Sequence, residues 1–169
     1  MRTAVLISLA GMALTVSACA SVEAPSGPEI SVETSGSPTP VADHDWFYHQ
    51  DGDEARLVYG LAESDDLRLG MDCREGAGRL TLGAIAGPGA RPEIHVESGG
   101  ETERFPARSE PSELHEGVFL TADAGTDAPV LQRFRRVGWI ALWLDGERQA
   151  YAPHPESAPH IDRFFAFCG

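Results

Sequence analysis

The sequence predicts a mainly β fold: a single antiparallel sandwich or barrel-like domain of about eight strands, with two short helices near the C-terminus. Three observations carry that expectation. Apolar residues alternate with polar or small ones through much of the chain after residue 43, as in Leu67-Arg68-Leu69-Gly70-Met71-Asp72-Cys73. Two turn-forming dipeptides, Gly99-Gly100 and Asp145-Gly146, each separate a pair of short alternating runs. The apolar spacing changes from two to three or four only late in the chain, after Asp127 and again after Ser157.

Taken in order, Arg56 to Leu61 places Leu57, Tyr59 and Leu61 on one face of a strand, and Glu63-Ser64-Asp65-Asp66 connects it to the next. In Leu67 to Cys73 the alternation points Cys73 inward. Glu75-Gly76-Ala77-Gly78 turns the chain into Arg79 to Ala86, where Leu80 and Leu82 face the core, and Gly87-Pro88-Gly89-Ala90 ends that strand. Glu93 to Ser98 and Glu101 to Pro106 flank Gly99-Gly100, and glycine at both positions permits the positive φ angles of a two-residue hairpin turn. That hairpin sets Ile94 opposite Phe105 and His95 opposite Arg104. Residues 107–116 read as a polar loop, followed by a strand from Gly117 to Ala122.

In the C-terminal third, Asp127 is placed to cap a helix with Pro129 in its first turn and Gly138 just past its end. Val130, Leu131, Phe134 and Val137 form its apolar stripe. Arg133, Arg135 and Arg136 occupy the other face, where arginines near a helix C-terminus complement its dipole. Trp139 to Leu144 and Glu147 to Tyr151 bracket Asp145-Gly146, a strong hairpin signal that sets Trp143 beside Arg148, a cation–π candidate, and Ile140 beside Tyr151. Apolar residues on both faces of Trp139 to Leu144 predict a strand buried on both sides. Ala158 to Cys168, with Ser157 as cap, places Ile161, Phe164, Phe165 and Cys168 on one helical stripe. Both Cys73 and Cys168 therefore fall on core-facing positions.

The N-terminus has a different grammar. Met1-Arg2 precedes an apolar run, TAVLISLAGMALTV, that ends in Val16-Ser17-Ala18-Cys19. The run is about 14 residues against the roughly 20 a helix needs to cross a bilayer, which favours a cleaved export signal over a permanent span. An aliphatic residue, two small residues and a cysteine at the junction resemble the lipobox of the bacterial lipoprotein family, with Val16 where leucine is commoner. The resemblance covers residues 1 to 19. It implies a signal peptide over residues 1–18, a diacylglyceryl thioether (and further acylation, as palmitate) on Cys19, and a chain tethered to a membrane without spanning it. Two or three acyl chains at about 0.8 kcal/mol per buried CH2 make such an anchor lasting. Ala20 stands where the family's inner-membrane retention signal is usually Asp, which points to the outer membrane facing the periplasm.

Residues 19–42 hold Pro25, Pro28, Pro38 and Pro40 among Ser, Thr and Gly, a composition too poor in apolar residues to offset the cost of ordering a backbone. They read as a tether, and residues 43–169 as the β-rich globular domain. With Cys19 lipidated in an exported chain, Cys73 and Cys168 remain as an even pair in an oxidising compartment. One disulfide is the expectation. It would close about 95 residues and contribute up to about 4 to 5 kcal/mol in the chain-entropy model. Two free thiols or a redox pair are the alternatives, although a redox pair is usually close in sequence.

Charge limits the partners. The chain has 13 basic and 26 acidic residues, a net charge of −13, and no lysine. Nucleic acid and anionic head groups would be repelled, whereas a cationic protein would be attracted. Motifs for chemistry are sparse. There is no Gly-x-Ser-x-Gly elbow or phosphate-binding glycine loop, and His115-Glu116 lacks the second histidine of a zinc-protease helix. Asp43, His44, Asp45, His49, Asp51 and Asp53 gather metal-ligating types within eleven residues. His44, His49 and Asp45 are the metal candidates, against a solvated acidic edge beside the tether. Strand alternation would send the two histidines to opposite faces.

The expectation is thus a lipid-anchored envelope protein whose β domain binds an envelope protein or a cationic protein, without catalysis or cofactor. Its β-rich body with a cysteine on a closing helix is similar in outline to bacterial envelope proteins such as periplasmic accessory proteins of type VI secretion. An inhibitor of a cationic envelope-attacking enzyme such as lysozyme is the first alternative. A small metal-dependent hydrolase built on residues 43 to 53 is the second.

Overall fold

A computed structural model describes residues 36–113 and 116–169. The signal, Cys19 and most of the proposed tether lie outside the described residues, as does His115.

Among the described residues the chain forms ten strands and two helices: β1 (His44–Asp51), β2 (Glu54–Leu61), β3 (Leu67–Arg74), β4 (Arg79–Ala86), β5 (Glu93–Ser98), β6 (Glu101–Pro106), β7 (Arg108–Pro111), β8 (Val118–Gly125), α1 (Pro129–Val137), β9 (Ile140–Leu144), β10 (Glu147–Tyr151) and α2 (Ala158–Cys168). They build two antiparallel sheets, one ordered β1-β2-β3-β4-β8-β7 and the other β10-β9-β5-β6. The sheets do not close on each other, so the architecture is a sandwich. Leu57, Met71, Leu82 and Leu120 of the larger sheet and Ile94, Val96, Ile140 and Leu142 of the smaller one are buried in a shared core.

The alternation explains most of this. In β4 the burial pattern is strictly periodic, with Leu80, Leu82, Ala84 and Ala86 inside. The two hairpins form as their turn residues dictate: Gly99 and Gly100 have φ of 51° and 89°, and Asp145 and Gly146 have 52° and 86°, so both central residues are left-handed in each turn. The resulting registers pair Ile94 with Phe105, His95 with Arg104, Trp143 with Arg148 and Ile140 with Tyr151. Ile140, Ala141 and Leu142 are all fully buried, as expected, but the cover on the outer face ends there: Trp143 is exposed and Leu144 half-buried, so the strand is buried on both sides only in its first half.

Two strands exceed the eight expected. Residues 107–116 are not simply a loop, because Arg108 to Pro111 pairs with Val118 to Thr121 at the sheet edge. All four residues of β7 are exposed, so no apolar period marks it, and Pro111 is tolerated because an edge leaves one row of N–H groups unused. The segment 44–51 forms the opposite edge strand, in which Trp46 is buried but Phe47 beside it is exposed.

The helices lie where the spacing put them, with different caps. Asp127 is one residue too early: Ala128 occupies the N-cap of α1, and the preceding turn is closed by its N–H to the Gly125 carbonyl at 3.1 Å. Gly138 ends the helix in a left-handed conformation, φ 80°, its N–H bonded to Phe134 O. Ser157 stands at the N-cap position of α2 without capping it, since its hydroxyl is bonded to Asp45 and to His154 O. Arg135 and Arg136 do fall in the last turn of α1. Arg135 also reaches Asp162 of α2 at 3.1 Å, and Arg133 lies against the Gly99-Gly100 turn.

Cys73 at the inward end of β3 is bonded to Cys168 at the end of α2, with Cα atoms 5.7 Å apart. Backbone bonds flank this junction: Gly76 N–H to Phe167 O at 2.9 Å and Gly78 N–H to Cys168 O at 2.8 Å. Aromatic contacts continue inward, with Phe134 placed 6.0 Å from Phe165 and 5.1 Å from Trp46. The C-terminal helix is thereby fixed to the larger sheet. Among the described residues no helix is long and apolar enough to cross a membrane.

Candidate functional site

The residues 43 to 53 cluster does not converge. His44 pairs with Leu61 and His49 with Arg56, five positions apart along β1, or about 16 Å at the rise of a strand. The His44 ring lies 3.2 Å from the Ala42 carbonyl and 3.5 Å from Asp66, while His49 sits on the exposed outer side of the sheet. Asp45 is already used: one carboxylate oxygen accepts from the N–H groups of Trp46 and His154, at 2.8 and 3.1 Å, and from the Ser157 hydroxyl. Among the described residues no group of three or more His, Cys, Asp or Glu side chains is placed to hold a metal.

The Asp45, His154 and Ser157 meeting, which the sequence did not signal, is wrongly ordered for a hydrolytic triad. There the imidazole must stand between hydroxyl and carboxylate. Here the hydroxyl bonds the carboxylate directly, and the His154 ring lies 3.1 Å from the Val41 carbonyl. The cluster fastens the entry to β1 onto the loop before α2.

The outer face of the four-stranded sheet is different. Arg148 of β10, Trp143 of β9, His95 of β5 and Arg104 of β6 are successive cross-strand partners, a single row across the sheet. Hairpin chemistry supplies each half of this row, and the pairing of β5 with β9 joins them. The His95 and Trp143 rings lie 6.0 Å apart and within 20° of parallel. One row away, Glu97 accepts two parallel bonds from Arg148, at 3.0 and 2.9 Å, and a third from the Trp143 indole N–H at 2.9 Å. Trp143 is a diagonal neighbour of Glu97 on the adjacent strand, and Arg148, one strand farther away, reaches the same carboxylate across β9 through its long side chain.

This arrangement corrects the expected cation–π pair. The fork drawn to Glu97 places the Arg148 guanidinium over Trp139, 5.4 Å from the ring centroid, instead of over Trp143. Trp139 packs with Ala141 and Ala152 in a small second apolar cluster on this face. The Ser98 hydroxyl donates to the Trp139 carbonyl at 2.7 Å. Trp143 remains 37% exposed.

The electrostatics follow from the contacts. The Arg148 bonds hold the Glu97 carboxyl below its ordinary range, assisted by the Trp143 N–H and opposed by burial. The same bonds raise Arg148. Burial lowers His95, and the Arg104 and Arg91 charges add to this against the pull of Glu93 and Glu97, so the imidazole is neutral at pH 7. Of these groups His95 also lines a cleft beside the row.

That cleft, of about 490 Å3, opens beside the row. Its walls are Trp143, His95, the Gly89 to Arg91 loop and the Asp145-Gly146 turn. Arg104 Nη1 meets Glu93 at 2.7 Å, Arg91 lies 3.6 Å from the same carboxylate, and the Gly87 N–H bonds Asp145 at 3.3 Å, tying loop to turn. The surface offers flat aromatic area and fixed hydrogen-bonding groups. Its Glu93 carboxylate is engaged by Arg104 and Arg91 and its Asp145 carboxylate by the Gly87 N–H, and no hydroxyl or thiol nucleophile lines it. Comparison with protein-family models, with curated proteins and with solved structures finds no match for this chain.

Proposed function

We propose that the chain is a lipid-anchored cell-envelope protein, held at the outer membrane facing the periplasm through Cys19. In this reading it acts as a non-catalytic binding module through the outer face of its four-stranded sheet. The observation that supports the binding surface most is the Arg148–Trp143–His95–Arg104 row, in which Glu97 fixes Arg148 and Trp143 and Glu93 fixes Arg104 beside an open cleft. Groups already held in place lose little freedom when a ligand arrives, which favours recognition. The partner is an envelope component, and the charge of −13 argues against nucleic acid.

The test has two parts. A Cys19→Ser chain should leave the membrane fraction and lose incorporation of labelled palmitate; firm attachment of this variant would overturn the anchor. In purified envelopes the lipidated wild-type chain should form chemical crosslinks to envelope components that a lipidated Trp143→Ala chain loses, and equal crosslinking would overturn the surface.

A second reading, inhibition of a cationic envelope-attacking enzyme such as lysozyme, draws on the larger sheet. Its outer face carries a hollow of about 400 Å3 lined by Val58, Ile85 and Phe119 over Gly70 and Gly83, where Asp65, Asp72, Glu110 and Glu113 outnumber Arg56 and Arg68. Long-range attraction would speed such an encounter and would weaken with salt. Salt-sensitive inhibition of lysozyme supports this reading, and no inhibition at low salt removes it. The metal-dependent hydrolase alternative finds no convergent ligands among the described residues and is not carried further.

A further inference from the structure

We infer that the cleft beside Trp143 binds a saccharide chain, one sugar ring lying against the exposed Trp143 indole while Glu93, Arg104 and Asp145 hydrogen-bond its hydroxyls. The inference rests on the proposed recognition role of this sheet face and names its ligand.

The chemistry of the walls selects the class. A pyranose presents hydroxyls around its rim and a flat array of C–H groups on its face. An exposed indole matches the second, through apolar contact and weak C–H to π attraction. Vicinal hydroxyls match planar guanidinium and carboxylate groups, which donate and accept pairs of hydrogen bonds. Arg104 and Glu93 provide that combination at one wall, with Asp145 opposite on the turn.

Charge narrows it further. The charged lining of the cleft, Arg91 and Arg104 against Glu93 and Asp145, sums to no net charge, so it does not select a strongly charged ligand of either sign. A strongly acidic chain also repels polyanions at a distance, whereas an uncharged glycan is indifferent to that field. The cleft's volume falls within the range of about 300 to 1,000 Å3 usual for small-ligand sites. An open cleft on a sheet face suits one or two rings of a longer polymer that continues past both ends.

The test is a calorimetric titration of the full chain in zwitterionic micelles, which present no sugar head groups. Chitotetraose and cellotetraose are the two probes. Saturable binding in the millimolar range or tighter is expected for at least one. Binding of both assigns the contact to ring face and hydroxyls, and binding of chitotetraose alone assigns it to the acetamido sugars of the cell-wall type. Trp143→Ala should weaken binding about tenfold or more. Arg104→Gln, at an exposed site where folding is not at stake, should weaken it about threefold, while Arg79→Gln on the other sheet leaves it unchanged. Absence of heat with both probes, or undiminished binding in Trp143→Ala and Arg104→Gln, overturns the inference. If envelope crosslinking still depends on Trp143 in that case, the recognition face stands and only the ligand class is wrong.

Discussion

On the outer face of the six-stranded sheet, Arg56 meets Asp72 at 2.5 Å, Arg74 meets Glu54 at 3.2 Å and Arg108 meets Asp123 at 3.4 Å. On the outer face of the four-stranded sheet, Arg148 meets Glu97 at 2.9 Å. The distances are alike and the surroundings are not. The first three pairs are largely solvated, whereas the Glu97 side chain is only 18% exposed and also holds the indole N–H of Trp143. A solvated pair loses in side-chain entropy and screening most of what it gains, while a sheltered carboxylate with three donors fixes the groups around it. The four-stranded sheet therefore carries an organised surface, and the six-stranded sheet carries the covalent bond that holds the body together.

The largest test of this division lies in that bond. Replacing both Cys73 and Cys168 by serine should lower stability by about 2 to 5 kcal/mol, read as a reduced midpoint in chemical denaturation. An unreduced, denatured wild-type chain should leave both cysteines unlabelled by an alkylating reagent in mass spectrometry.

Next comes the contrast between the ion pairs. Glu97→Ala leaves the Arg148 guanidinium and the Trp143 N–H without their acceptor and should cost about 1 to 3 kcal/mol. Arg56→Ala on the other sheet should cost less than about 1 kcal/mol. Equal losses in denaturation would remove the distinction between the faces.

Acidity sharpens the same contrast. His95 is lowered by burial, so the unfolded chain binds its proton first, and stability should fall as pH drops below about 6.5. Glu97 is lowered by Arg148; its contribution is present above the ordinary carboxylate value of about 4.3 and is lost as pH falls through its folded value. In the core, burial raises Tyr151 to about 12, so alkali should destabilise the fold from about pH 10 upward. Thermal midpoints measured across pH test all three, and a Glu97→Gln chain should lose the acid-side slope that this carboxyl supplies.

The smallest effect belongs to the bare face. Phe119 lies over Gly83, where an added Cβ would come within 2.9 Å of the ring's far end, and the ring itself is 43% exposed. Phe119→Ala should change stability by no more than about 0.5 kcal/mol, as expected for a surface side chain, in the same denaturation assay.

How much of this was legible depends on how local its causes are. Each hairpin declares itself through its turn residues, so His95 beside Arg104 and Trp143 beside Arg148 could be read directly. The pairing of β5 with β9 joins segments far apart in the chain, and no local signal encodes it. The row that makes the candidate site was therefore readable only as two halves. The edge strands were missed for a different reason: β7 buries nothing, and β1 sets Trp46, Phe47 and Tyr48 in succession, which hides its alternation. The cysteines were legible because a strand period and a helix period each pointed one of them inward. Asp45 and Ser157 lie far apart in sequence, so their contact left no trace in either segment.

The central claim is that recognition belongs to the outer face of the four-stranded sheet. A photo-crosslinking residue placed at Thr102, exposed one row from His95 on that face, and another at Phe119 on the larger sheet would test it in intact cells. Crosslinked envelope material from position 102 and little from position 119 is the predicted result. Adducts confined to position 119 would contradict the account and move recognition to the other sheet.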